Sequence, residues 1–297
     1  MNFMKFKWLY FLLSALVLVP GIASLVLFGL KPSIDFVGGS LLELKFEENY
    51  QLPITNYQKT IEDSGFDVYS IQSSGEKEFL IRMKPITKDD VITIKAALAE
   101  KFEEMPQEIR FETVGPTLGR ELLIKTLIAI LFAAVAILGY VAWAFKKAKF
   151  GACAIIAMFH DSLVMLGIFS LLGHFSGVEV DTLFVTALLT ILSFSVHDTV
   201  VVYDRIRESQ KRYPGVDFIA LVNKAITETL ARSLNNSMTI IFMLLALYLL
   251  GGETIKWFIF ALLIGTISGT YSSTFTAVPL LVVWDEIEKR IRKKRVS

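Results

Sequence analysis

Six mainly apolar stretches, each near the length that crosses a bilayer, decide what this chain can fold into. A hydrocarbon core of roughly 30 Å takes about 20 helical residues at 1.5 Å each. The stretches lie at 8–30, 122–145, 150–173, 182–203, 229–250 and 257–284. Apolar residues reach 54% and charged residues only 20%, with a mean hydropathy of +0.55. That balance excludes a soluble globular enzyme, a disulfide-stapled secreted module and a disordered chain. The first stretch is too long for a signal-peptide core and no small-x-small cleavage site follows it, so a retained span is expected. The single cysteine, Cys153, falls in an apolar run and reads as a buried thiol.

Basic residues orient the spans. Lys5 and Lys7 precede the first; Lys146, Lys147 and Lys149 separate the second and third; Arg205, Arg207, Lys211 and Arg212 follow the fourth. A basic tail, 285–297, follows the sixth and includes Lys289, Arg290, Arg292, Lys293, Lys294 and Arg295. Both termini, 1–7 included, are therefore expected in the cytoplasm. Residues 31–121 carry 11 Lys and Arg against 17 Asp and Glu, a net of −6, and the remainder carries +7. The acidic segment is expected outside. The tail reads as a topological anchor, and no nucleic-acid partner is expected.

The outer segment alternates like a small α+β domain. Strands are expected at 41–46, 68–72, 78–83 and 109–114, and helices at 57–64 and 88–104. A Ser73-Ser74-Gly75 turn joins the second and third strands, and Thr87 caps the second helix. The order βαββαβ is ferredoxin-like. The cytoplasmic segment 204–228 is expected to hold an interfacial helix after a Pro214-Gly215 turn, since Phe218, Leu221, Val222, Ala225 and Ile226 recur at helical spacing.

Ionisable residues within spans carry the sharpest functional signal, because a charge at the bilayer centre costs about 2.5–3.5 kcal/mol on insertion scales. They are His160, Asp161, Asp198 and Arg232, with His197 beside them. Counted along their helices, Asp198 and Arg232 fall about 24 and about 27 Å from the outer boundary. An Asp198–Arg232 pair is therefore compatible with these depths, which do not by themselves fix a contact. Thr186, Thr190, Ser193 and His197 form a polar stripe on the fourth span, and Arg232, Asn235, Asn236 and Thr239 one on the fifth. A carboxylate that gains and loses an arginine partner would bind and release a proton. The alternative is a static ion pair, with His160-Asp161 a second satisfied pair and His197 a neutral ring held by Ser193. Three histidines without HExxH or CxxC give no metal-ligand spacing, and no cofactor is expected. Gly265 and Gly269 give the sixth span a small face, continued by Ser268, Ser272 and Ser273, suited to close helix packing.

Several collinear motifs carry a resemblance. Ser33-Ile34-Asp35-Phe36-Val37-Gly38-Gly39 is similar to the Gly-Ile-Asp-Phe-x-Gly-Gly signature of the SecD/SecF protein-export family. Val114-Gly115-Pro116-Thr117-Leu118-Gly119 is similar to its signature before the second span. His160-Asp161, Ser195–Val201, Asp204–Glu208, Arg232–Asn235 and Gly265–Pro279 resemble the SecF side of the family. The resemblance implies a six-helix RND-type bundle and a non-enzymatic role. Implied partners are SecD, the SecYEG channel, YajC, the insertase YidC and a translocating polypeptide. It also implies proton-driven export, with Asp198 and Arg232 as the proton-linked pair. His197 stands where the family has Asn, and Ser33 where it has Gly. The glycines of the two signatures, with Asp35 and Pro116, read as connectors rather than binding sites. The alternatives are a scaffold for SecD without a proton role and an RND-type proton-coupled small-molecule transporter.

Overall fold

The domain between the first and second apolar helices is organised by one sheet. The computed structural model describes residues 2–47, 54–73, 77–145 and 147–296. Lys146 and the Ser74-Gly75 part of the turn lie outside them, as do the side chains of Lys294 and Arg295. After α1 (Lys7–Phe28) and the one-turn α2 (Ile34–Val37), the chain forms β1 (Gly39–Lys45), α3 (Ile54–Asp63), β2 (Val68–Ser73) and β3 (Glu78–Met83). It continues through α4 (Lys88–Phe102) and β4 (Gln107–Val114). The sheet order is β2-β3-β1-β4, antiparallel throughout, with Leu42 facing Ile81 and Phe111. This is the ferredoxin-like order expected from the alternation. Leu42, Leu44 and Phe46 project with Ile81 and Met83 onto one face, where Tyr57, Ile61, Ile94 and Leu98 of the helices cover them. Thr87 begins α4 through a capping box with Asp90.

The remaining helices are α5 (Pro116–Ala144), α6 (Ala148–Ser176), α7 (Thr182–Arg212), α8 (Phe218–Leu250), α9 (Glu253–Ser272) and α10 (Val278–Val296). A π-helical turn, Ser273–Ala277, joins α9 to α10. Six helical runs among the described residues are long and apolar enough to cross a membrane. Pro32–Ile128 forms one compact unit, and the rest of the chain forms the other.

In the helical unit, α6, α7 and α9 supply most of the core. Phe169, Phe184, Ile191 and Ala261 make one cluster, and Cys153, Tyr203, Val222 and Leu281 belong to another. Glycine sets two crossings. A Cβ on Gly167 would stand 2.5 Å from the Gly21 Cα, so α1 and α6 meet backbone to backbone. A Cβ on Gly265 would stand 2.3 Å from Ile191 Cγ1 of α7. Gly269 faces Phe194 and Ser195 of the same helix, so this small face packs within the chain.

Helix ends differ from the expected span limits. The helix that carries the fourth span does not end at residue 203; α7 runs on to Arg212. Residues 218–228 are not a separate interfacial helix but the first turns of the 33-residue α8, which Asp217 caps at Ile219 and Ala220. Charged residues mark where a helix leaves hydrocarbon, and they do not end it. The turn at Pro214-Gly215 does, with Gly215 at φ +90°.

Candidate functional site

The polar residues of the bundle fall into two groups on adjoining faces of α7, marked by Ser195 and Asp198. On one side, Asp198 is buried at 5% exposure and accepts a 2.7 Å hydrogen bond from the Ser233 hydroxyl of α8. The Asp198–Arg232 pair that the depths allow is not formed: among the described residues Arg232 has no ion pair. Depth counting placed both residues at one level but not at one azimuth. Successive residues turn about 100° around a helix, and Ser233 takes the side facing α7. Arg232 is exposed and lines a cavity of about 690 Å³ with Arg205, Arg207, Lys211, Glu208 and Glu228. Arg205 ties α7 to α8 there, at 2.6 Å from Glu228, and also reaches Glu208 at 2.6 Å.

His197 is not held by Ser193. Its side chain is 73% exposed, with Nδ1 3.8 Å from Asp198 Oδ1. The ring turns outward because His197 lies on the exposed stripe of α7. Thr186, Thr190 and Ser193 share that stripe, and Arg232, Asn235, Asn236 and Thr239 are exposed on α8. The Thr186, Thr190 and Thr239 hydroxyls bond back to carbonyls four residues earlier.

On the adjoining face of α7 lies a group that sequence reasoning saw only in part. Asp161, 1% exposed, accepts hydroxyl hydrogen bonds from Ser195 at 2.5 Å, Ser272 at 2.5 Å and Ser268 at 2.6 Å. His160 Nδ1 is 3.0 Å from the same carboxylate. Ser268 and Ser272 read as small packing residues from their size. Their spacing of four, on the face that meets α6, is the signal for a shared partner.

The two glycine signatures meet within the Pro32–Ile128 unit. Ser33 is the N-cap of α2, its hydroxyl accepting from the Asp35 amide at 3.2 Å, so serine serves a turn where glycine was expected. Gly38 and Gly39 take φ of +78° and +130°. A Cβ on Gly38 would stand 2.8 Å from Pro116 Cα, and one on Gly119 would stand 2.8 Å from the Gly38 nitrogen. Gly115 has open space around its α-carbon and takes no part in that contact.

Comparison with known proteins agrees with this geometry. Residues 93–287 match the family model of the protein export membrane protein SecD/SecF, C-terminal, and residues 23–49 match the SecD/SecF GG motif. The Thermobaculum terrenum protein translocase subunit SecF is 44% identical, over 96% of this chain and 94% of that one. That of Anaerolinea thermophila is 39% identical, over 99% and 97%. A crystal structure of SecDF from Thermus thermophilus, a translocon-associated membrane protein, superposes with a TM-score of 0.85 at 32% identity. The match covers 96% of this chain and 39% of the larger SecDF chain. The two signatures, the polar α7 and α8 and the six-helix bundle thus coincide with one family: the chain belongs to the SecD/SecF family of protein-export membrane proteins, on its SecF side.

Proposed function

We propose that the chain works with a SecD-type partner to couple a proton gradient to polypeptide export. The observation that carries this reading is the exposed polar face of α7 and α8 beside buried Asp198. Lipid tails cannot satisfy His197, Arg232, Asn235 or Asn236, and ionisable groups within spans face protein or water. A helical partner of similar topology covers this face. The Thermus thermophilus protein translocase subunit SecDF supports that choice, since this chain matches 38% of its length at 33% identity.

Covered in this way, Asp198 sits between the partner and the Ser233 hydroxyl. A proton on Asp198 removes the charge that strengthens the Ser233 bond and loosens α7 from α8. Loss of the proton to the opposite compartment restores the bond. Arg232 precedes Ser233 on α8, and the ionised carboxylate attracts its guanidinium. Both termini lie in the bacterial cytoplasm and the acidic domain lies outside the inner membrane, as the basic loops require. The outer domain acts on polypeptide leaving SecYEG, with YajC and YidC as accessory partners.

The experiment is export driven by an imposed proton gradient with Asp198→Asn, at matched membrane levels and with the SecD-type partner still bound. Asparagine keeps the shape and removes the titratable charge. Slower export without gradient dependence is the expected result. Unchanged export would leave the chain a scaffold for its partner.

A further inference from the structure

We propose that His160 and Asp161 form a second proton-binding site, enclosed within the bundle, in which the proton is taken up by His160 Nε2. The inference does not rest on the role given to Asp198. Four donors converge on Asp161: the hydroxyls of Ser195, Ser268 and Ser272, and His160 Nδ1. The three hydroxyls donate to the carboxylate, and the role of His160 Nδ1 follows the ring tautomer; we take the tautomer with Nδ1–H, which leaves Asp161 ionised.

That charge has no ordinary counter-ion. Among the described residues no Lys or Arg pairs with Asp161. A buried charge left uncompensated is costly. The one neighbouring group able to supply a positive charge is His160, itself 7% exposed. With its Nδ1–H given to Asp161, its Nε2 is buried and has no hydrogen-bond partner. A proton moving from water to that lone pair makes the ring an imidazolium and brings the net charge of the pair from −1 to zero.

Among the described residues, Asp198 is the nearby carboxylate outside the pair, one turn along α7 from Ser195 and bonded to Ser233 of α8. From α9, the Tyr271 ring stacks on His160 with centres 6.4 Å apart, and its hydroxyl donates to the Tyr10 carbonyl of α1. From α1 and the π-helical turn, Ser14 and Thr276 bond to each other at 3.3 Å. From α7 comes Ser195, with Asp198 three residues farther on facing α8. The Asp285 and Glu288 carboxylates of α10 are held by Lys149, about 16 Å back along α6. The proton state of the pair is therefore felt first by three serines, two of which end α9 where the π-helical turn begins. π-Helical turns of this kind recur at functional sites.

Solid-state nitrogen-15 NMR of the histidine-labelled full chain, in phosphatidylethanolamine–phosphatidylglycerol bilayers, tests the site. The chain holds three histidines, so His174→Gln and His197→Gln assign the His160 signals. On going from about pH 8 to about pH 5, the range in which histidine serves as a switch, His160 is expected to pass reversibly from one ring N–H to two. In Asp161→Asn the second N–H is lost over the same range. In Ser272→Ala, with one donor to the carboxylate removed, the doubly protonated fraction at about pH 6 changes. A single protonation form across the range, or an unchanged response in Asp161→Asn, overturns the proposal. If Asp161→Asn does not assemble, Ser272→Ala decides alone, and an unchanged fraction overturns it. A response to sodium in place of potassium at constant pH also overturns it, in favour of a metal-ion site.

Discussion

Replacing Gly119 by alanine tests whether the two glycine signatures truly lock each other. In an ordinary helical position alanine is favoured over glycine by about 0.5–1 kcal/mol. Gly119 is not ordinary: a Cβ there would lie 2.8 Å from the Gly38 nitrogen and 3.2 Å from the Phe36 carbonyl oxygen. Both are backbone atoms, and no rotamer change can move them aside. Overpacking costs about 1–3 kcal/mol, and the upper half of that range applies to an immovable neighbour. Set against the propensity gain, the net loss is about 1–2 kcal/mol, a roughly 5–30-fold shift in an opening equilibrium. The readout is amide hydrogen exchange of the full chain in lipid nanodiscs. Two probes report it: the Gly38 amide, bonded to the Ile34 carbonyl at 2.9 Å, and residues 42–44 of β1. Gly139, also in α5, has nothing within 4 Å of a built Cβ, so Gly139→Ala leaves both probes unchanged. If Gly119→Ala exchanges no faster than the parent chain, or if Gly139→Ala accelerates exchange equally, the close approach does not constrain the connector.

Two further outcomes follow from the packing and capping. Gly265→Ala drives a methyl into Ile191, so the bundle melts earlier in detergent, and Ile191→Ala in the same chain recovers most of the loss because it vacates that space; failure of the double variant to recover would place the strain elsewhere. In the outer domain, the Thr87 amide and hydroxyl hold the Asp90 carboxyl below the usual carboxylate range. A carboxyl depressed by folding stabilises above its unfolded value and loses that contribution as the pH falls through the folded one. The first turn of α4 should therefore fray only below about pH 4, where NMR shifts of the Thr87 and Asp90 amides move together; Asp90→Asn should abolish that acid transition.

Much of this architecture is legible in the sequence because periodicity reports burial directly. The β3 limits, 78–83, could be read to the residue, since Lys77-Glu78 and Lys84-Pro85 bracket the apolar Phe79–Ile81 and Met83. The six spans followed from length and apolarity alone. What escaped depends on rotation about a helix axis rather than position along it. Arg232 and Asp198 share a depth, yet it is Ser233 that meets Asp198. Ser268 and Ser272 were visible as small residues on one face, but size hid their hydroxyl chemistry until Asp161 was placed opposite. Ser33 stood out as a departure from a glycine signature, and it serves as a cap, a role a different residue type can fill by another route.

The π-helical turn at Ser273–Ala277 carries one more residue per turn than the α-helix on either side. Elsewhere in a span, deleting a single residue would swing everything downstream by about 100° and turn one helix face to the wrong neighbours. Here the surplus residue can be removed and the turn close into regular α-helix. Ser268 and Ser272 would stay against Asp161 on one side, and Asp285 and Glu288 against Lys149 on the other. The sixth span thus contains a splice point at which chain length can change by one without disturbing the phase of either half.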